Sequence, residues 1–334
     1  MKQSLRLLGA AAIAALAALP AAAQTAKPNV TIGLPGIPPV FVAVQFYVAQ
    51  QEKLFDKQGL NVTLRNFDSG AAAARALASG DIEMSLSPSP LIVNMLSNNP
   101  SVDIVAIYGN EKPDWLIGSL DPSKSTCEQM KGLPVGVDSL GGARSIALTQ
   151  MLRQCNLKAE DMQQVPLSTN VHTAMISGQL QVGVLHIDDV PIIERESKKK
   201  VTKVVDINDV QKINHYMALS TTQKRLAANR DTYVRVLAAL IEAERFIRDP
   251  KNADAVAKAA AATSRSVDEA KWATNEYVKM EFWPKDKAGL NKENIEAIIA
   301  AQKRVGGIRP DATPVAYERF ADLTVFNDAM KMAK

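Results

Sequence analysis

Small hydroxyls, glycines and amides recur in this chain where an apolar run gives way to a helix-forming one. Asp68-Ser69-Gly70 precedes "AAAARALAS", and Ser87 and Ser89 stand in "SLSPSP". Ser139, Gly141, Gly142 and Ala143 lie between "LPVGVD" and a helical run, Asn170 closes Ser168-Thr169-Asn170, and His186 follows "VGVL". Such groups support reversible hydrogen bonding rather than bond making. The first turn of a helix leaves backbone N–H groups unpaired, and its dipole adds roughly 0.3–2 kcal/mol for an anion placed there. Several hydrogen bonds at about 1 kcal/mol each, with apolar burial, reach the roughly 8 kcal/mol of a micromolar complex. Neither metal nor covalent chemistry is needed.

Each candidate carries an alternative. Ser69 and Gly70 are ligand donors, or Asp68 and Ser69 serve as helix N-caps. Ser87 and Ser89 present hydroxyls from a loop stiffened by prolines, or form an ordinary turn. The pair Gly141-Gly142 allows close backbone approach to a ligand, but the Lys-Ser/Thr ending of a phosphate-binding loop is missing. Arg144 could pair with an anion, although a first-turn arginine is expected to point outward. Asn110 and Asn170 are further candidates, Asn110 with turn capping as its alternative. Pro38 and Phe41 would form an apolar wall or simply pack. Asp188 and Asp189 are adjacent and would point apart if extended, which argues against paired-carboxylate chemistry. His172, His186 and His215 are too dispersed to announce zinc. No G-x-S-x-G, H-E-x-x-H or G-x-G-x-x-G is present. No catalytic residue, metal or cofactor is expected.

The elements that would position these residues alternate short β-like runs with helical ones, the pattern of an α/β fold. "NVTIGL", "NVTLRNF", "DIEMSLS", "VDIVAIYG", "LPVGVD", "QQVPL" and "QVGVL" read as strands. A helix is expected over "FVAVQFYVAQQEKLFDKQ", with Gly59 as its stop, and another over "AAAARALAS" ending at Gly80. The last third is mostly helical. Val236, Leu240, Ala243 and Ile247 recur at helical spacing on a core-facing stripe, and Trp272 and Trp283 are expected to pack.

Lys2 and Arg6, the apolar core "LLGAAAIAALAAL" and "PAAAQ" together read as a cleaved export signal, residues 1–23, with cleavage after Ala23. That core is too short for a permanent membrane helix. Loss of Lys2 and Arg6 takes the formal charge from +4 to +2, a balance that argues against nucleic acid. "KKK" at 198–200 reads as a solvated turn. The two cysteines, Cys127 and Cys155, flank one strand-helix unit. In an oxidising compartment they are expected to pair, two buried thiols being the alternative.

"FYVAQQEKLFDKQGLNVTL", "SGAAAARALASGDIEMSLSPSP", "LPVGVDSLGGARSIAL", "MISGQLQVGVLHIDDVP" and "ANRDTYVRVLAALIEAERFIRDPKNADAVA" occur in that order. Together they resemble the type II periplasmic solute-binding proteins of ABC importers, in the sulfonate, taurine, nitrate and thiamine-precursor group. The resemblance covers nearly the whole chain after the leader. It implies two lobes, residues 28–112 with 217–334 and residues 113–216, joined by crossovers near Gly109 to Leu116 and Asp206 to Leu219. It also implies one small, anionic organic solute in the cleft, His186 at a contact position, an ABC permease as partner, a periplasmic location and a monomer. A ligand-sensing subunit for a membrane receptor is the alternative. A thiamine-pyrimidine synthase-like enzyme shares the fold, but its cysteine-rich motif has no counterpart here.

Overall fold

The computed structural model describes residues 26–110, 112–168, 170–210 and 216–333. The expected leader, Thr169 and His215 lie outside them. The described residues form ten strands: β1 Asn29–Pro35, β2 Asn61–Phe67, β3 Met84–Pro88, β4 Ile104–Gly109, β5 Trp115–Ser119, β6 Pro134–Val137, β7 Gln163–Pro166, β8 Val182–His186, β9 Thr202–Asp206 and β10 Met217–Thr222. They form two five-stranded sheets, ordered β2-β1-β3-β10-β4 and β7-β6-β8-β5-β9.

The two sheets repeat one plan. In the first, β1 runs parallel to β2 and β3, while β10 is antiparallel to β3 and β4. In the second, β6 is parallel to β7 and β8, while β5 is antiparallel to β8 and β9. The antiparallel strand of each sheet is the one reached by crossing from the other, β4 to β5 and β9 to β10. Backbone bonds tie the crossings together. The Asn110 N–H donates to the Met217 carbonyl at 2.8 Å, and the Tyr216 N–H to the Asn110 carbonyl at 3.1 Å.

The α/β architecture agrees with the sequence reading, but three strands were not anticipated: β5, β9 and β10. All three lie within or beside the expected crossovers, and each is five or six residues long. The helix expected across 41–58 is also broken. A 3-10 turn at Phe41–Ala43 leads into Val44–Gln51, and Lys53 at φ 56° interrupts the run before Leu54–Lys57. Helix Gly70–Ser79 forms as its alanines dictate. Ser69 Oγ accepts the Ala72 N–H at 3.3 Å, and Gly80 at φ 91° ends it in the left-handed conformation that glycine tolerates.

Helix Gln223–Arg248 buries Val236, Leu240, Ala243 and Ile247 against the main core, as their spacing requires. Trp283 is fully buried beside Tyr277 and Phe282, but Trp272 is 40% exposed and does not pack as expected. Cys127 and Cys155 are joined in a disulfide with their Cα atoms 5.9 Å apart.

Candidate functional site

Loops from both sheets converge on one pocket, beyond the carboxyl ends of β1, β3, β6 and β8, where ligands of open α/β sheets bind. Pro35, Val40, Val42, Ser69, Gly70 and Pro88 line it from the first sheet, and Trp115, Asp138, Ala143, Arg144 and His186 from the second. Tyr216 and Met217 reach it from the second crossing. The pocket is small. Its volume open to the centre of a water is about 20 Å³, room for one or two such molecules.

Of the residues expected to bind ligand, Ser69, Gly70, Ala143 and His186 line this pocket. Ser69 is also the helix N-cap, so one residue carries both alternatives. Ser87 and Ser89 do not line it. The Ser87 hydroxyl donates to the Gly70 carbonyl at 3.0 Å, and the Ser89 N–H to the Tyr216 carbonyl at 2.9 Å, so both fix backbone around the pocket. Asn110 is buried in the crossing, while Asn170 is exposed. Phe41 is fully buried and stacks on Tyr277 with ring centroids 5.5 Å apart, which is its packing alternative. Pro38 is half-buried; Val40 and Val42 supply the wall from its loop.

The loop between β6 and helix Ala143–Leu152 departs most from expectation. Asp138 Oδ2 accepts the Ala143 N–H at 2.9 Å and Asp138 Oδ1 the Arg144 N–H at 3.1 Å. The helix amides expected to hold an anion are thus engaged by a carboxylate of the chain itself. Gly142 is needed for this cap, since a Cβ there would stand 2.6 Å and 2.7 Å from the Asp138 oxygens. Ser139 and Gly141 sit further out, half-buried and exposed.

The group offered to the pocket from this helix is the Arg144 side chain. It is 2% exposed, against the expectation that it would point outward. Its guanidinium lies over the Trp115 ring at 5.5 Å, and Nη2 donates to Asp189 Oδ2 at 3.2 Å. Nη1 has no hydrogen-bond partner among the described residues.

Behind Arg144 lies a buried charge network. Asp188 and Asp189 do not point apart, because Asp188 is in a helical turn rather than extended. Arg265 Nη2 binds Asp188 Oδ2 at 2.5 Å and Asp189 Oδ1 at 3.0 Å, and the His186 N–H donates to Asp189 Oδ2 at 3.0 Å. His186 Nδ1 meets Asp114 Oδ2 at 2.7 Å. The Tyr277 hydroxyl contacts that same oxygen, and Asp188 Oδ1 at 2.7 Å. Burial pushes the Asp189 carboxyl up, but the charges of His172, Arg144, Arg265 and His186 outweigh it and hold the group well below the usual carboxylate range. Burial lowers His172, Asp189 partly countering and Arg265 and Arg144 adding to the effect. Burial also raises the Tyr277 hydroxyl, reinforced by Asp114 and Asp188, so it remains a donor.

Asp114, His186 and Asp188 bring ligand atoms within 4.8 Å of one another, a donor set of the kind that holds a metal. Here Tyr277 and Arg265 already bind these carboxylates, and the fixed charge of Arg265 opposes a cation. The set fits an internal ion-pair network better than a metal centre.

Sequence reasoning missed Asp138, Trp115 and Tyr216, and misplaced Arg144. For Asp138 a signal existed: a carboxylate directly after a strand and a few residues before a helix is a capping pattern. The positions of Trp115, Tyr216 and Arg144 depend on how segments distant in sequence pack together.

The family profile described as NMT1/THI5 like matches residues 41–253, well over half of the chain. A Bordetella bronchiseptica RB50 protein of known structure is 21% identical, with a TM-score of 0.76 over 92% of this chain and 98% of its own. The alkanesulfonate-binding protein SsuA of Xanthomonas axonopodis pv. citri, bound to MOPS, is 16% identical, with a TM-score of 0.69 over 89% of this chain and 99% of its own. The periplasmic nitrate-binding protein NrtA of Synechocystis PCC 6803 is 10% identical, with a TM-score of 0.75 over 92% of this chain and 89% of its own. At these identities the likeness is one of fold, the type II periplasmic binding protein fold. No curated protein matches the chain in sequence.

Proposed function

We propose, on the premise that the chain belongs to the NMT1/THI5-like family, that it is the substrate-binding protein of an ABC importer. It captures a small organic anion between two lobes, residues 28–112 with 217–334 and residues 113–216, and delivers it to a membrane permease without altering it. The observation that carries this reading is Arg144. A guanidinium that is 2% exposed lines the pocket between the sheets, with Nη1 unpartnered among the described residues. A buried donor of fixed charge without a partner is costly, and a carboxylate or sulfonate oxygen would satisfy it. Ser69, Gly70 and His186 stand around the same space.

Closure follows from the placement of these groups. A solute touching Arg144 on one side and the Ser69-Gly70 loop on the other binds the closed form better than the open one, which is the only way it can shift that equilibrium. Two relatives of the same fold are named for anions, an alkanesulfonate and nitrate, consistent with this chemistry. The Cys127–Cys155 disulfide supports an oxidising compartment such as the periplasm. A thermal-shift screen of the protein against carboxylates, sulfonates, inorganic anions and neutral compounds tests the proposal. Saturating anion should raise the melting temperature by mass action; stabilisation by neutral compounds alone would refute it.

A further inference from the structure

The buried charge network behind Arg144 is assembled from two parts of the chain. Asp114, His186, Asp188 and Asp189 belong to residues 113–216, whereas Arg265 and Tyr277 come from the C-terminal helices. Those helices stand with the first sheet. Helix Val267–Lys279 packs on Ala253–Ala260, which packs on Val44–Gln51, and the Tyr277 ring stacks on Phe41. Arg265 is tied to that side by Nη1, which donates to the Thr263 carbonyl at 3.0 Å. Its Nε and Nη2 then reach across to Asp188 and Asp189, while the Tyr277 hydroxyl bridges Asp114 and Asp188. Arg195 pairs with Glu269 across the same boundary, and the Ser168 hydroxyl donates to the Asp68 carbonyl at 2.8 Å. None of these bonding residues lines the pocket that holds Arg144, so the contacts do not depend on what the pocket binds.

Charge gives the contacts their direction. Asp114, Asp188 and Asp189 are each at most 3% exposed, and the guanidinium bonded to them from their own side is that of Arg144, through Asp189. Three carboxylates against one guanidinium leave negative charge facing Arg265. The desolvation of buried charges is offset only where they are both paired and hydrogen-bonded. Both Asp188 oxygens obtain that from Arg265 and Tyr277.

Resting on the two-lobe reading, we propose that Arg265 and Tyr277 form a latch that draws the lobes together before solute binds. Solute then shifts a closure equilibrium that already favours the closed form. Residues that never touch solute thereby set part of its affinity, which scales with the fraction of protein in the competent state. Asp189 joins the two functions, because Oδ1 holds Arg265 while Oδ2 holds Arg144. Opening the latch therefore also loosens the arginine offered to the pocket.

Small-angle X-ray scattering of the mature protein, exhaustively dialysed and with no solute added, tests this. The wild type should match the curve calculated from this structure. Arg265→Gln removes charged hydrogen bonds and should lower the closed-to-open ratio roughly 10- to 150-fold, seen as a larger radius of gyration. Tyr277→Phe keeps the ring on Phe41 and should shift the radius in the same direction by less; it carries the comparison if Arg265→Gln does not fold. A pair that merely stabilised one folded unit would instead lower the melting temperature at unchanged radius. A wild type already expanded, or folded variants as compact as the wild type, would overturn the latch. No solute enters the measurement, so the latch can fail with the anion reading intact, and a thermal-shift screen in which no anion binds would leave the latch standing.

Discussion

Replacing Arg144 by Gln separates ligand recognition from folding, because the network behind it supplies the missing charge. Among the described residues Arg144 makes one ion pair, from Nη2 to Asp189 Oδ2 at 3.2 Å. When it is removed, Asp189 Oδ2 still accepts the His186 N–H at 3.0 Å, and Oδ1 still binds Arg265 at 3.0 Å. Losing the sole partner of a buried charge costs about 3–5 kcal/mol, but Asp189 keeps its partners, so the cost here should be nearer 1–2 kcal/mol. For a chain of this size that lowers the melting temperature by only a few degrees, on the order of 2–4 °C per kcal/mol. The ligand, in contrast, loses a charge-assisted hydrogen bond of about 1.5–3 kcal/mol, a loss of roughly 10- to 150-fold in affinity. Calorimetric titration of wild type and Arg144→Gln with the anion selected by thermal shift is the assay. Arg144→Lys should recover part of the loss, since it restores charge without the planar fork. An unchanged dissociation constant in a folded Arg144→Gln protein would refute the reasoning, as would equal weakening of a neutral ligand.

Other expectations follow from the same contacts. Gly142→Ala places a Cβ 2.6 Å from an Asp138 oxygen and should displace the cap on Ala143 and Arg144, costing about 0.5–2 kcal/mol; an unchanged urea midpoint would count against that role. His172 has a lowered pKa, so the unfolded chain takes up its proton first. Its contribution to stability is complete above the ordinary histidine value near 6.5 and is lost as pH falls below it. His172→Gln should therefore flatten the fall in melting temperature on the acid side of that value, and parallel curves for variant and wild type would exclude it. Asp189 is held low, so its contribution disappears only below the ordinary carboxyl range, at more acid pH. Removing the Cys127–Cys155 bridge, with its sequence separation of 28, by a double alanine replacement should cost about 3–4 kcal/mol by loop entropy. Urea unfolding measures it, and equal stability of the two proteins would rule it out.

Much of this protein is determined locally and was legible in its sequence. Alanines at 71–74 with Ser69 before them and Gly80 after them make a helix wherever they are placed, because propensity, cap and stop act within a few residues. The same holds for the buried stripe of Val236, Leu240, Ala243 and Ile247, and for parallel strands feeding helices through small-residue loops. From such pieces the α/β class and the position of Ser69, Gly70, Ala143 and His186 near one cleft could be expected.

The site's chemistry was decided elsewhere. β5 and β10 are strands because both neighbours of each supply hydrogen-bonding partners far away in sequence, such as Trp115 opposite His186 and Ala218 opposite Gly109. Nothing within "WLIGS" or "MALSTT" announces that pairing. Arg144 turns inward because Asp189 and Trp115, brought beside it by β8 and β5, replace the water its charge would otherwise require. Asp138 takes the helix amides that sequence alone would have offered to a ligand. Short-range propensity places the loops; where a buried charge finds its partner depends on segments joined only by the finished fold.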